Sequence, residues 1–220
     1  MQIALKEIPL HETLHFLGWR GTPLDQALID QIKAMTQRAL EVIEPRVVYR
    51  KTSLTEGRTA DGTAFCVQGN DAAAMLQPCH EIILFAATLG AQSERMLLKE
   101  QAKDSAQALL LDAVFSAAIE ALCDRAEAQL RAELSEGGMY LTDRFSPGYG
   151  DMPLAQTRTI CEVLNTSRSI GLTVSASGIM IPRKSVTAVM GVSRTPVSLR
   201  PRGCAGCAMR ETCPMRRNGG

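Results

Sequence analysis

The sequence predicts an α+β protein: a mixed or antiparallel sheet, a long scaffold helix and further helices packed on it. Three observations predict this. Stretches with the period of a strand alternate with stretches whose apolar residues recur at three-and-four spacing. That alternation has no regular strand-helix-strand rhythm and no repeat of roughly 20–50 residues. The longest periodic run, residues 104 to about 134, carries an apolar stripe of Leu109, Leu110, Ala113, Val114, Ala117, Leu122 and Leu130 among many alanines that permit close packing.

Taken in order, residues 7–17 place Ile8, Leu10, Leu14 and Leu17 in a short helix or turn that stops at Gly18-Trp19-Arg20-Gly21. His11 and His15 lie four apart, a metal-ligand spacing, but no third ligand stands nearby in sequence and two partly exposed histidines explain them as well. Residues 25–42 keep helical spacing through Leu28, Ile29, Ile32, Met35, Ala39 and Leu40, with Thr22-Pro23 as cap and first turn and Pro45 as terminator. Residues 46–54 read as a strand, with residues 63–67 as its hairpin partner. Residues 71–76 form a short helix closed by Gln77-Pro78. Residues 81–88 are a nearly continuous apolar strand, hence central and covered on both faces. Helical spacing resumes over residues 92–99, and Gly137-Gly138 ends the scaffold helix. Residues 139–143 form a short strand, residues 154–164 a helix and residues 172–181 an extended segment. A turn at Pro182-Arg183-Lys184 then leads to a β-branched strand over residues 185–192, so that the last two strands make a hairpin.

With 220 residues, 45% hydrophobic and 21% charged, the chain can bury a substantial core as one domain with a small appendage. The division expected is residues 1–199 as the domain and residues 200–220 as a basic cysteine-rich tail. A net charge of +1 creates no global field for nucleic acid or an acidic membrane face. The first residues, Met1-Gln2-Ile3-Ala4-Leu5-Lys6-Glu7-Ile8, lack the pattern of a secretory leader, and Asp112 and Glu120 interrupt the most apolar run, so a cytoplasmic protein without a membrane span is expected. Cys66, Cys79, Cys123 and Cys161 stand singly within apolar or periodic segments, as buried thiols do in a reducing compartment.

The stretch Arg144-Phe145-Ser146-Pro147-Gly148-Tyr149-Gly150-Asp151-Met152-Pro153 lies between an expected strand and an expected helix. Arg144 offers a planar fork suited to a carboxylate or phosphate, Pro147-Gly148 sets a turn, and Tyr149 supplies a ring with a polar tip. An ordinary Pro-Gly turn with a solvated arginine would use the same residues. The order Arg144-Phe145-Ser146-Pro147-Gly148-Tyr149, Pro153, a helix, Ile170-Gly171-Leu172-Thr173, Ser175, Ser177, Met180, Pro182 and Ser185-Val186 resembles the activation (reactivation) domain of cobalamin-dependent methionine synthase. Ala87-Thr88-Leu89-Gly90, Leu111-Asp112-Ala113 and Ile119-Glu120-Ala121-Leu122 are similar to the stand-alone, shortened members of that family.

The resemblance implies a reactivation subunit that binds S-adenosylmethionine and docks over the cobalamin-binding core of methionine synthase or another corrinoid protein. A flavodoxin-like donor would give one electron and the sulfonium a methyl group, restoring methyl-cobalamin from cob(II)alamin. Such a chain is an accessory to a methyltransferase of methionine biosynthesis, and the cobalamin sits on the partner. Carried over by position, Arg144 would pair with the ligand's carboxylate, Ser146 would offer a backbone contact, and Tyr149 would touch the ligand by ring or hydroxyl. Asp143, Asp151 and Glu120 are nearby acids that could face a sulfonium or amine, or be plain solvated acids. The chain departs from the family in having Leu154-Ala155-Gln156 where the motif has a histidine after the second proline, and in lacking an acidic, aromatic-rich segment before Arg46.

The C-terminal sequence Cys204-Ala205-Gly206-Cys207-Ala208-Met209-Arg210-Glu211-Thr212-Cys213-Pro214 gives C-x2-C-x5-C. Three thiolates are one short of a closed tetrahedral site, so a fourth ligand from His80, Cys79, a partner chain or a small molecule would complete a zinc or iron–sulfur centre. Five arginines (Arg200, Arg202, Arg210, Arg216, Arg217) against Glu211 make the tail locally +4, suited to an acidic partner. From these residues comes the alternative function, a metal- or iron–sulfur-bearing electron-transfer or interaction protein for a corrinoid methyltransferase.

Overall fold

Strand β3, Glu81–Thr88, has too little polarity to face water on either side, and the fold is built outward from it. In the computed structural model, which describes residues 3–19, 23–59 and 65–198, β3 pairs antiparallel with β1 (Arg46–Thr55) on one side and β7 (Ser185–Ser193) on the other. β2 (Arg58–Thr59) extends the β1 edge and β4 (Tyr140–Leu141) the β7 edge, giving the order β2-β1-β3-β7-β4. The sheet is antiparallel throughout.

Because side chains alternate along a strand, β3 feeds two cores. Ile83, Phe85 and Ala87 join α1 (Leu10–Phe16), α2 (Gln26–Val42), α4 (Ala91–Gln101) and α5 (Ser105–Glu136) in the larger core. Ile82, Leu84 and Ala86 face the smaller one with α3 (Asn70–Leu76), α6 (Gln156–Leu164), Phe65 and Phe145. Each fully buried Ile, Leu or Phe contributes roughly 1.5–3 kcal/mol, so the doubly covered strand, with Ile82, Ile83, Leu84 and Phe85 all buried, is heavily stabilised.

Helix α5 is the expected scaffold. Asp104 caps it by accepting from the backbone N–H groups of Ala106 and Gln107. By length and composition alone it could cross a membrane. Its apolar stripe, including Leu111, Val114, Phe115, Leu122 and Leu130, is instead buried in the larger core. Asp25, rather than Thr22-Pro23, is the observed cap of α2, accepting from Ala27 N.

Two expectations are corrected. Residues 172–181 are not one extended partner of the last strand. They fold back on themselves as β5 (Thr173–Val174) and β6 (Met180–Ile181), because Ser175 turns the chain, accepting at Oγ from Ile179 N while Ser175 N donates to Ile179 O. β7, freed from that hairpin, inserts between β3 and β4. The partner of β1 at its far end is β2 rather than residues 63–67; Cys66 bridges Arg58, Val67 N donates to Gly57 O, and residues 60–64 lie outside the described part.

Candidate functional site

The loop of residues 144–153 crosses the sheet edge from β4 toward α6 and is fastened at both ends. Phe145 exchanges two backbone hydrogen bonds with Val189 of β7, and its buried ring enters the smaller core. Gly148 N donates to Met152 O, Tyr149 N to Ser146 O and Met152 N to Tyr149 O, closing the loop on itself. The Asp151 carboxylate accepts from the backbone N–H groups of Asn70 (2.6 Å) and Asp71 (3.0 Å) at the start of α3. Those two bonds hold its carboxyl below the usual aspartate range. Gly150 has φ 52° and packs on the Asp71 side chain, so an added Cβ would collide with that carboxylate.

On this frame Tyr149 is 70% exposed and Leu154 58%. An aromatic ring and an aliphatic chain thus stand outward from a fastened loop, Leu154 Cδ1 lying against Gly148. Ser146 is half-buried, and its carbonyl is already used by the turn.

Arg144 turns toward α5. Its Nη2 donates to Asp124 Oδ1 at 2.9 Å and to Glu120 Oε2 at 3.3 Å, and Nη1 lies 3.4 Å from Glu127 Oε2. These three acids occupy positions i, i+4 and i+7 of one helix face. Burial works against the Arg144 charge, while Cys123, Asp124, Glu127 and Glu120 favour it, and the net direction is upward. A second arginine, Arg131, ties the same acids to β4: Nη2 donates to Glu127 Oε1 at 2.9 Å, Nη1 donates to Leu141 O, and Asp143 Oδ1 is 4.0 Å from Nη2. Four carboxylates (Glu120, Asp124, Glu127, Asp143) surround two guanidinium groups, so the cluster has a formal charge of −2. Glu127 and Asp143 are buried, whereas Glu120 and Asp124 are 42% and 54% exposed and carry the negative charge to the surface. Cys123, beside Arg144, is no nucleophile: burial pushes its thiol up to about 12.

Sequence reasoning named Arg144, Ser146, Tyr149, Asp143, Asp151 and Glu120, and missed Asp124, Glu127, Arg131 and Gln156. The acids were legible as a polar stripe on an otherwise apolar helix. Gln156 stands where the resemblance led one to look for a histidine. It is buried and clamps residues 66–68 to α6, donating from Nε2 to Cys66 O at 2.6 Å and accepting at Oε1 from Gln68 N at 3.1 Å.

Cys204, Cys207 and Cys213 lie outside the described residues. Among the described residues no group of three or more His, Cys, Asp or Glu side chains is arranged to hold a metal. His15 packs edge-on to Phe16, and His11 Nε2 is 3.3 Å from Glu12 Oε1. Two surface hollows lie away from the loop. One, of about 350 Å³, is lined by Pro78, His80, Ser193, Arg194 and Thr195. The other, of about 460 Å³, lies between α2 and α4 and is lined by residues that include Arg38, Arg95, Lys99 and Lys103.

No family model matches the chain, and no curated protein does. Among solved structures it is similar to the crystal structure of the MetH reactivation domain bound to AdoHcy, with a TM-score of 0.58 and 16% sequence identity. The likeness covers 81% of this chain and 72% of that one, and it extends to the antiparallel sheet and the long helix. It is a likeness of fold.

Proposed function

We propose that the chain is a reactivation subunit that binds S-adenosylmethionine at the Arg144–Tyr149 loop and presents it to a corrinoid held by a partner protein, the cobalamin-dependent methionine synthase core. The observation that carries this reading is the fold shared with a reactivation domain bound to AdoHcy, the demethylated form of that donor, in a chain that also has the Arg144-Phe145-Ser146-Pro147-Gly148-Tyr149 loop.

The residues present suit such a ligand. S-adenosylmethionine carries two positive groups, sulfonium and ammonium, and one carboxylate. The exposed acids Glu120 and Asp124 draw the positive end, and Tyr149 gives a flat ring for an aromatic base or the sulfonium. Arg144 is the cation for the carboxylate. Its guanidinium is already held by α5, so the ligand's carboxylate must exchange with Asp124 or Glu120, and a net cationic ligand leaves both acids partnered after the exchange. The donor, when bound, supplies the methyl for reductive remethylation of the partner's cob(II)alamin, the electron coming from a flavodoxin-like protein. This chain's own part is orientation: a loop pinned by Asp151 and Phe145 holds the ligand still at the edge of the sheet.

Calorimetric titration with S-adenosylmethionine and with AdoHcy tests the reading. Wild type binds both; Arg144→Ala and Tyr149→Ala each weaken binding by about tenfold or more, the scale of one lost charge-assisted bond or one aromatic contact. Absence of binding by folded wild type rejects the site. Oxidised methionine synthase core with reductant and S-adenosylmethionine, assayed with and without the protein, tests the activity itself.

A further inference from the structure

The hollow of about 460 Å³ between α2 and α4 gathers positive charge that the fold leaves unneutralised. Arg38 lines it from α2, Arg95 and Lys99 line it from α4, and Lys103 stands two residues past the end of α4. Glu41 and Glu100 are its acids, so the lining has a formal charge of +2. The acids of α4 are already engaged. Glu94 is taken by the turn before β7, accepting at Oε1 from Arg183 Nε at 2.6 Å and at Oε2 from Arg183 N at 2.9 Å. Glu100, its side chain 13% exposed, accepts from Arg38 Nη2 at 3.3 Å. Among the described residues no ion pair takes up Arg95, Lys99 or Lys103.

The end of α4 accounts for part of this row, because Lys99 and Lys103 sit near its last carbonyls, where cations are favoured. It accounts neither for Arg95, in the second turn, nor for Arg38 on a different helix. Arg95 and Lys99 are one turn apart, about 5–6 Å between Cβ atoms, and Lys103 adds a third cation beyond them. That run is longer than a single phosphate group bridges, and it suits two or three linked phosphates. An arginine fork clamps one group with paired bonds while the ammonium groups act as point charges on the others. Val42 and Met96, both partly buried against the larger core, give the hollow an apolar floor for an organic remainder. Its volume falls in the usual range of small-molecule sites.

We propose that this hollow binds a small molecule bearing a di- or triphosphate, its phosphates held by Arg95, Lys99 and Lys103 with Arg38 contributing from α2. The hollow lies away from the Arg144 loop, so the proposal stands or falls independently of ligand binding there.

The test is calorimetric titration of the full chain with sodium tripolyphosphate, ATP, adenosine and citrate, without magnesium, at low and at physiological salt. Tripolyphosphate and ATP each bind once per chain, with affinity falling as salt rises, and adenosine does not bind. Citrate, a trianion without phosphate, binds at least about tenfold more weakly than tripolyphosphate. Tighter binding of ATP than of tripolyphosphate marks the ligand as an organic phosphate, and equal binding marks it as an inorganic chain. Arg95→Gln, and Lys99→Gln combined with Lys103→Gln, each lower the affinity by about tenfold or more, the scale of one charge-assisted bond. All three positions are exposed, so the variants keep the fold. Lys33→Gln removes an equal charge from an exposed position of α2 outside the hollow and leaves the affinity within about twofold. The proposal is overturned if folded wild type binds neither oligophosphate, or if citrate or adenosine binds as tightly as they do. It is also overturned if Lys33→Gln costs as much as Arg95→Gln, which is attraction to charge in general.

Discussion

Glu127 is the residue on which the charge cluster turns. It is buried between Arg131 and Arg144, so removing it takes a buried carboxylate from both, leaving Arg144 only the more exposed Asp124 and Glu120. Glu127→Ala is expected to destabilise the protein by about 3 kcal/mol, as breaking a buried pair from one side does. Asp124→Ala, at an exposed partner of the same arginine, should cost under about 1 kcal/mol. Urea unfolding of the two variants checks the contrast. Asp151 makes a prediction in pH. Its folded pKa is depressed by two backbone N–H bonds, so its stabilisation is present above the ordinary aspartate value of about 3.9 and fades as pH falls through the lower folded value. Asp151→Asn should therefore unfold more easily than wild type near about pH 6, and the gap should narrow as pH falls below the ordinary aspartate value of about 3.9. A gap independent of pH would show that the carboxylate charge does not hold the loop to α3. At this scale the sequence was half legible. Residue types and order singled out Arg144 and Tyr149, but where the Arg144 fork points is decided by α5 residues 17 to 24 positions earlier in the chain, and no local pattern carries that.

Elements announced by period were readable because the burial that selects them is regular along the chain. β3 spans residues 81–88 as expected, and α5 extends only two residues past its expected end. The β5–β6 hairpin was missed because each of its strands is two residues long, too short to show a period, and its turn depends on the Ser175 hydroxyl. Packing between elements is equally silent in the sequence. Gly191 lies inside β7, where glycine is ordinarily a weakness, yet a Cβ there would stand 2.8 Å from Leu76 Cδ2 and inside contact distance of Cys79. Close approach of the end of α3 to the sheet requires the hydrogen. Gly191→Ala should accordingly cost about 1–3 kcal/mol as overpacking. Combining it with Cys79→Ala, which empties the nearest obstruction, should recover part of that loss in a double-mutant cycle. Additive losses would place the strain elsewhere.

At the scale of the molecule, a fold shared over 81% of the chain at 16% identity shows how little sequence a sheet with two cores demands. Alternation on β1, β3 and β7 and a stripe on α5 suffice, and many residue choices satisfy them. Among the described residues, both cores are drawn from residues no later than Val192. A chain ending at Ser198 should thus melt within about 2 °C of the full chain, the spread of a change worth under about 1 kcal/mol. A gap well beyond that would show that residues 199–220 add to one of the cores.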